Sequence, residues 1–167
     1  MRKTLLWAMA ASLTVGGVAL ANVRSNTGHA RPHHNIRVIK LFATTVQFKQ
    51  LDFGDSGFSL GDEIVLADDV LTRKGGTKVG VDAGVCTVVR VANATTGTGT
   101  LQCPVTLSVK GSQLFTVGLV QLVNGALSGT QVVAISGGTG RYLGAAGKFT
   151  IQFLSPTETN YTITLIR

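Results

Sequence analysis

The chain reads as an all-β protein, an eight-stranded antiparallel β-barrel, on three observations. Apolar and polar residues alternate in Leu101, Cys103, Val105, Leu107, Val109, in Phe149, Ile151, Phe153 and in Tyr161, Ile163, Leu165. This is the period of two expected of strands with one buried face. Glycine, asparagine and proline interrupt the runs at short intervals, and no stretch beyond the N-terminal segment carries a helical period of useful length. Strands are predicted at 36–49, 62–72, 78–91, 99–110, 113–122, 130–136, 146–154 and 160–166. Closing them into a barrel removes exposed sheet edges, although a β-sandwich would show the same alternation. An eight-stranded barrel either fills with side chains or holds one small ligand.

Each segment has its own reason. Residues 1–21 combine Arg2 and Lys3 with an apolar run ending Ala19-Leu20-Ala21, the pattern of an export signal. A second small-residue cleavage site follows Gly28-His29-Ala30, and a retained anchor is the alternative. Residues 22–35 are polar and aperiodic and read as a flexible leader. Their histidines (His29, His33, His34) have no acid or cysteine nearby, so no metal site is expected. The barrel domain is expected to span 36–167. Within it, Pro104 lacks the N–H that a ladder needs and predicts a bulge or an unpaired position.

Composition narrows the function classes. The net charge is +7, but the basic residues are scattered singly, so nucleic acid is not an expected partner. No segment after the N-terminal one is long and apolar enough to span a bilayer. The segment Ala134-Ile135-Ser136-Gly137-Gly138-Thr139-Gly140-Arg141-Tyr142-Leu143-Gly144-Ala145-Ala146-Gly147-Lys148-Phe149 is glycine-rich, but no helix pattern follows it. It therefore reads as a tight connection at the barrel rim rather than a phosphate loop. All three histidines lie in the leader, which argues against a Ser-His-Asp hydrolase.

Acids are where proton chemistry would have to come from. Six of the eight (Asp52, Asp55, Asp62, Glu63, Asp68, Asp69) lie between residues 52 and 69. Asp68 and Asp69 are adjacent on a strand, so one faces the interior and the other solvent. An inward aspartate in an apolar barrel is a usable proton donor or acceptor; a solvated pair at a strand end is the plainer reading. Asp82 shares a face with Gly84 and Cys86, where it either joins Asp68 in a pocket or supports a rim hydrogen bond. Tyr142, after the glycines, either caps the barrel mouth and donates a proton or packs on a neighbour. Cys86 and Cys103 flank the polar loop Asn93–Gly99, which places them nearly opposite in a hairpin. An even cysteine count in an exported chain suggests a disulfide, two buried thiols being the alternative.

Four motifs carry a family resemblance over residues 50–166. Ala67-Asp68-Asp69-Val70-Leu71-Thr72 resembles the A-D-D-P-L-T segment of plant dirigent proteins, and Ile135–Gly147 resembles their G-G-T-G-x-F-x-x-A-R-G segment. Ser59-Leu60-Gly61-Asp62 and Gly80-Val81-Asp82-Ala83-Gly84-Val85-Cys86 are similar to S-L-G-D and G-I-T-A-G-L-C of allene oxide cyclases. The resemblance implies an eight-stranded, calycin-like barrel, usually trimeric, whose cavity holds a hydrophobic small molecule. It further implies cofactor-free cyclase or isomerase chemistry on a polyketide-, polyene- or phenolic-like substrate, pericyclic ring closure included, or alternatively a non-catalytic ligand-binding barrel. By this resemblance Asp68 falls on a cavity position of both families and is the candidate catalytic residue. Cys86 falls on the cyclases' cavity cysteine. Val70 and Ala146 replace the dirigent proline and arginine. For the trimer, Val85, Thr87, Val89 and Val91 form an alternating set that would supply an apolar outer face.

Overall fold

The computed structural model describes residues 35–166, and within them the chain is almost entirely strand. The strands are β1 (Ile36–Leu51), β2 (Glu63–Leu71), β3 (Lys78–Asn93), β4 (Thr98–Gln102), β5 (Val105–Val109), β6 (Ser112–Val117), β7 (Leu119–Val123), β8 (Ala126–Leu127), β9 (Thr130–Gly138), β10 (Ala146–Ser155) and β11 (Glu158–Ile166), with one 3₁₀ turn at Gly140–Tyr142. The hydrogen-bonded order β2-β1-β11-β10-β9-β6-β5-β3 returns to β2 through the β2–β3 pairing, so the ring closes with every pairing antiparallel. The expected eight-stranded barrel is the observed one. The predicted export signal and nearly all of the leader, including its three histidines, lie outside the described residues.

β4–β5 and β6–β7 are each one predicted strand with a break. The first break is at Cys103-Pro104, where Cys103 N–H donates to the Gly118 carbonyl at 3.0 Å and proline needs no acceptor. Beyond it β4, β7 and β8 continue as a flap hydrogen-bonded to the far half of β3. Cys86 and Cys103 are joined in a disulfide across this bulge, a link favoured in oxidising compartments. No helix among the described residues is long and apolar enough to cross a membrane.

The inward face follows the alternation. On β11, Thr159, Tyr161, Ile163 and Leu165 are buried; on β2, Ile64, Asp68 and Val70; on β3, Asp82, Cys86 and Val88. The outer face of β3 leaves Val81, Val85 and Val89 substantially exposed. Val91 departs from the expected outer set: the register slips between Val88 and Arg90, which turns Val91 inward against the core.

The two barrel ends differ. At one end the glycine-rich segment folds inward as a plug. Tyr142 is buried there, and Arg141 donates to the Val109 carbonyl at 2.8 Å from its guanidinium and to Ser112 Oγ at 3.3 Å from its backbone N–H. Gly138 is required because a Cβ there would sit 2.5 Å from the Gln113 carbonyl oxygen and 2.7 Å from Tyr142 Cβ. Gly140 has φ +58°, and its Cβ would lie 2.6 Å from Ser112 Oγ. At the other end the interior stays hollow.

Candidate functional site

The hollow end holds a cavity of about 520 Å³, lined by residues of β1, β2, β7, β8 and the β10–β11 turn. Ile64, Leu66, Leu122, Leu127 and Phe153 make most of it apolar; Thr45, Gln50, Thr157 and Thr159 supply scattered polar groups. A volume of this order accommodates a drug-sized molecule. Asp68 lines it and is 6% exposed.

Asp68 is directed inward by strand phase. Its register partners are Thr45 on β1, next to a bulge between Thr45 and Gln47, and Asp82 on β3. Two carboxyls therefore sit directly opposite each other inside the barrel, a pairing that is unfavourable when both are ionised. Asp69, one residue on, points outward and pairs with Lys78. The phase expected from the sequence is the one observed.

The third member of the cluster is Tyr161. Its hydroxyl donates to Asp68 Oδ2 at 2.8 Å, and its ring meets Phe149 edge-on at 4.7 Å between centroids. β1 separates β2 from β11, and its inward residues here include the small Ala43, which leaves the tyrosine room to reach past it. Tyr161 was missed in the sequence because it is 93 residues from its partner and reads as one more apolar position in an alternating strand. The available signal was its phase: it shares the inward set with Ile163 and Leu165.

Burial, then the charge of Asp68, pushes Asp82 up to about 7. Tyr161's hydroxyl, committed to Asp68, eases that shift without satisfying either Asp82 oxygen. Both oxygens of Asp82 and Oδ1 of Asp68 are buried without a hydrogen-bond partner among the described residues. Tyr161 is held well above the ordinary tyrosine range by burial and then by the two carboxylates, so it remains a donor. The arrangement is two facing carboxyls, of which Asp82 is pushed up toward neutrality and Asp68 lies on the cavity wall. Such a pair can give or take a proton without a histidine.

The other sequence candidates fall elsewhere. Asp82 is 1% exposed and sits behind Asp68 rather than on the cavity surface. Cys86 does not line the cavity; its sulfur is consumed in the disulfide, so it is not a cavity thiol. Tyr142 belongs to the plug at the opposite end, where it borders a separate concavity with Arg141, Leu143 and Leu165. The glycine-rich segment is the tight rim connection expected from the sequence, and it lies at the end away from the cavity. Asp62 organises the β1–β2 loop, accepting from Phe53 N–H at 2.9 Å and Ser59 N–H at 2.6 Å. Among the described residues no group of three metal-ligating side chains occurs.

A family model described as the allene oxide cyclase barrel like domain matches residues 42–165. The chain belongs to this family. Among solved structures it is similar to a pyocyanin demethylase, with 25% identity, a TM-score of 0.63, and coverage of 77% of this chain and 99% of that one. It also resembles a pterocarpan synthase dirigent protein, at 15% identity and TM-score 0.65 over 90% of this chain and 99% of that one. The Diels-Alderase AbmU from Streptomyces koyangensis follows at 14% identity and TM-score 0.59, covering 83% of this chain and 71% of that one. At these last two identities the likeness is one of fold. No curated protein sequence matches.

Proposed function

We propose that the protein is a cofactor-free cyclase or isomerase that takes a hydrophobic, reactive small molecule into the hollow end of the barrel and directs its stereoselective rearrangement. The observation that carries this reading is Asp68, a buried carboxyl on the wall of a largely apolar cavity, backed by Asp82 and Tyr161. The apolar walls would hold the substrate in a near-attack conformation, and Asp68 would move a proton or stabilise developing positive charge. The family, and structural neighbours named as a pyocyanin demethylase, a pterocarpan synthase dirigent protein and a Diels-Alderase, support small-molecule chemistry in this cavity. Ring closure, pericyclic closure included, is the specific reaction proposed. The protein is also proposed to be exported, on the basic start and apolar run of residues 1–21, and, in keeping with the family resemblance, to associate as a trimer through the outer face of β3. Sedimentation at low concentration and the intact mass of native protein check both; a monomer retaining Met1 would overturn them.

The test begins with native mass spectrometry of protein from its own host, to identify a co-purifying small molecule. Chiral chromatography then follows turnover of that compound. Asp68→Asn should turn it over on the order of 100-fold more slowly, because asparagine keeps the shape but neither accepts nor supplies the proton. Wild-type and Asp68→Asn proteins acting at the same rate would remove Asp68 from the chemistry. Tight binding without turnover by the wild type would make the barrel a carrier.

A further inference from the structure

The cavity has a sign. Among its lining residues there is no lysine, arginine or histidine, and the ionisable group on its wall is Asp68, with Asp82 directly behind. Two lysines pair with acids on the outside of the wall, Lys78 with Asp69 and Lys74 with Glu158 at 2.7 Å, and Lys49 between Phe48 and Gln50 is exposed. Among the described residues, Asp68 has only the neutral Tyr161 hydroxyl as a donor, and three carboxyl oxygens of the pair have no hydrogen-bond partner. An acidic group at the bottom of a low-dielectric pocket focuses a negative potential along it. A carboxylate or phosphate entering there would lose its hydration against repulsion, with no cation to receive it.

We propose that the cavity selects apolar molecules that are positively charged, formally or by polarisation, at the end directed to Asp68, and rejects anions. This inference rests on the cavity being the ligand site. It narrows the substrate class to compounds such as alkylated nitrogen heterocycles, amines or electron-poor aromatic systems, and it excludes free fatty-acid-like carboxylates. It also gives Asp68 a task in the ground state: orienting the ligand by its positive end.

Three probes of nearly equal size and different charge test this by equilibrium dialysis at neutral pH: naphthylmethylammonium, methylnaphthalene and naphthoate. Wild-type protein should bind the ammonium at least about tenfold more tightly than methylnaphthalene and exclude naphthoate by a similar factor. In Asp68→Asn the three affinities should converge, while Asp69→Asn, on the outer face, should keep the wild-type order. Naphthoate binding as well as the ammonium would overturn the inference, and so would an order unchanged in Asp68→Asn. Equal binding of all three probes would remove the charge selection and leave the apolar cavity as the ligand site. Binding of none would remove both. The wild-type ranking decides between these outcomes even if Asp68→Asn fails to fold.

Discussion

The same eight strands build both ends of this barrel, yet one end is solid and the other hollow. At the solid end the interior positions carry Leu107, Leu114, Ile163 and Leu165, and Tyr142 comes down from outside the sheet to fill the remaining space. At the hollow end the corresponding positions carry Thr45, Asp68 and Thr159, and the large side chains, Phe48 and Phe153, lie at the rim. The difference teaches where stability and function are separated. Dense apolar packing at the plug holds the ring closed, and that leaves the mouth free to carry buried polar groups that a core would not tolerate.

The largest expected effect tests that division directly. Tyr142→Ala should destabilise the protein by about 4 kcal/mol, the usual cost of emptying a packed aromatic site, whereas Phe153→Ala at the rim should cost about 1 kcal/mol or less. Denaturant melts of the two variants give the comparison. Equal losses would mean that the hollow end bears as much of the fold as the plug.

A smaller effect separates the ends by pH. Asp82 titrates near 7 in the folded protein and near 4 when unfolded, so the folded state holds the extra proton between those values. Stability should therefore be unpenalised below about pH 4, fall as pH rises, and reach its full loss above about pH 7, on the order of 2 kcal/mol after allowing for solvent relaxation. Asp82→Asn should flatten this slope, and plug variants should leave it intact. A wild-type profile that Asp82→Asn leaves unchanged would mean that Asp82 is ionised without cost.

The smallest effect concerns the link between the ends. Tyr161→Phe removes one buried hydrogen bond to Asp68 while keeping the ring on Phe149, and should cost about 1–2 kcal/mol. The lost donor should also raise the pKa of Asp82 further, seen as a displacement of the pH–stability curve to higher pH. An unmoved curve would show the hydroxyl to be a packing element alone.

Much of this was legible in the sequence because a barrel wall is a local pattern. Alternation marked each strand, Pro104 marked the bulge, and the adjacency of Asp68 and Asp69 forced one of them inward. What was not legible depends on long-range register. The facing of Asp68 and Asp82 follows from the β2–β3 pairing, and the Tyr161 hydroxyl arrives from a strand that is not even adjacent to β2. Which end of the barrel Tyr142 would pack into was not legible for a related reason. Glycines announce a tight turn but do not say which end of a barrel it closes, and that depends on where β9 and β10 stop. Val91 was misplaced because a one-residue slip reverses every side chain beyond it.

One pairing described above has a consequence for how the molecule comes into being. Among the described strands β1 is made first and β11 last, and they lie side by side, Ile36 against Ile166. Until β11 has been synthesised, β1 has an open edge and the wall has a gap. The hydroxyl that steadies Asp68 rides on that same last strand. Completion of the fold and completion of the site are thus a single event, and a chain stopped a few residues before Tyr161 would lack both the seam and the donor.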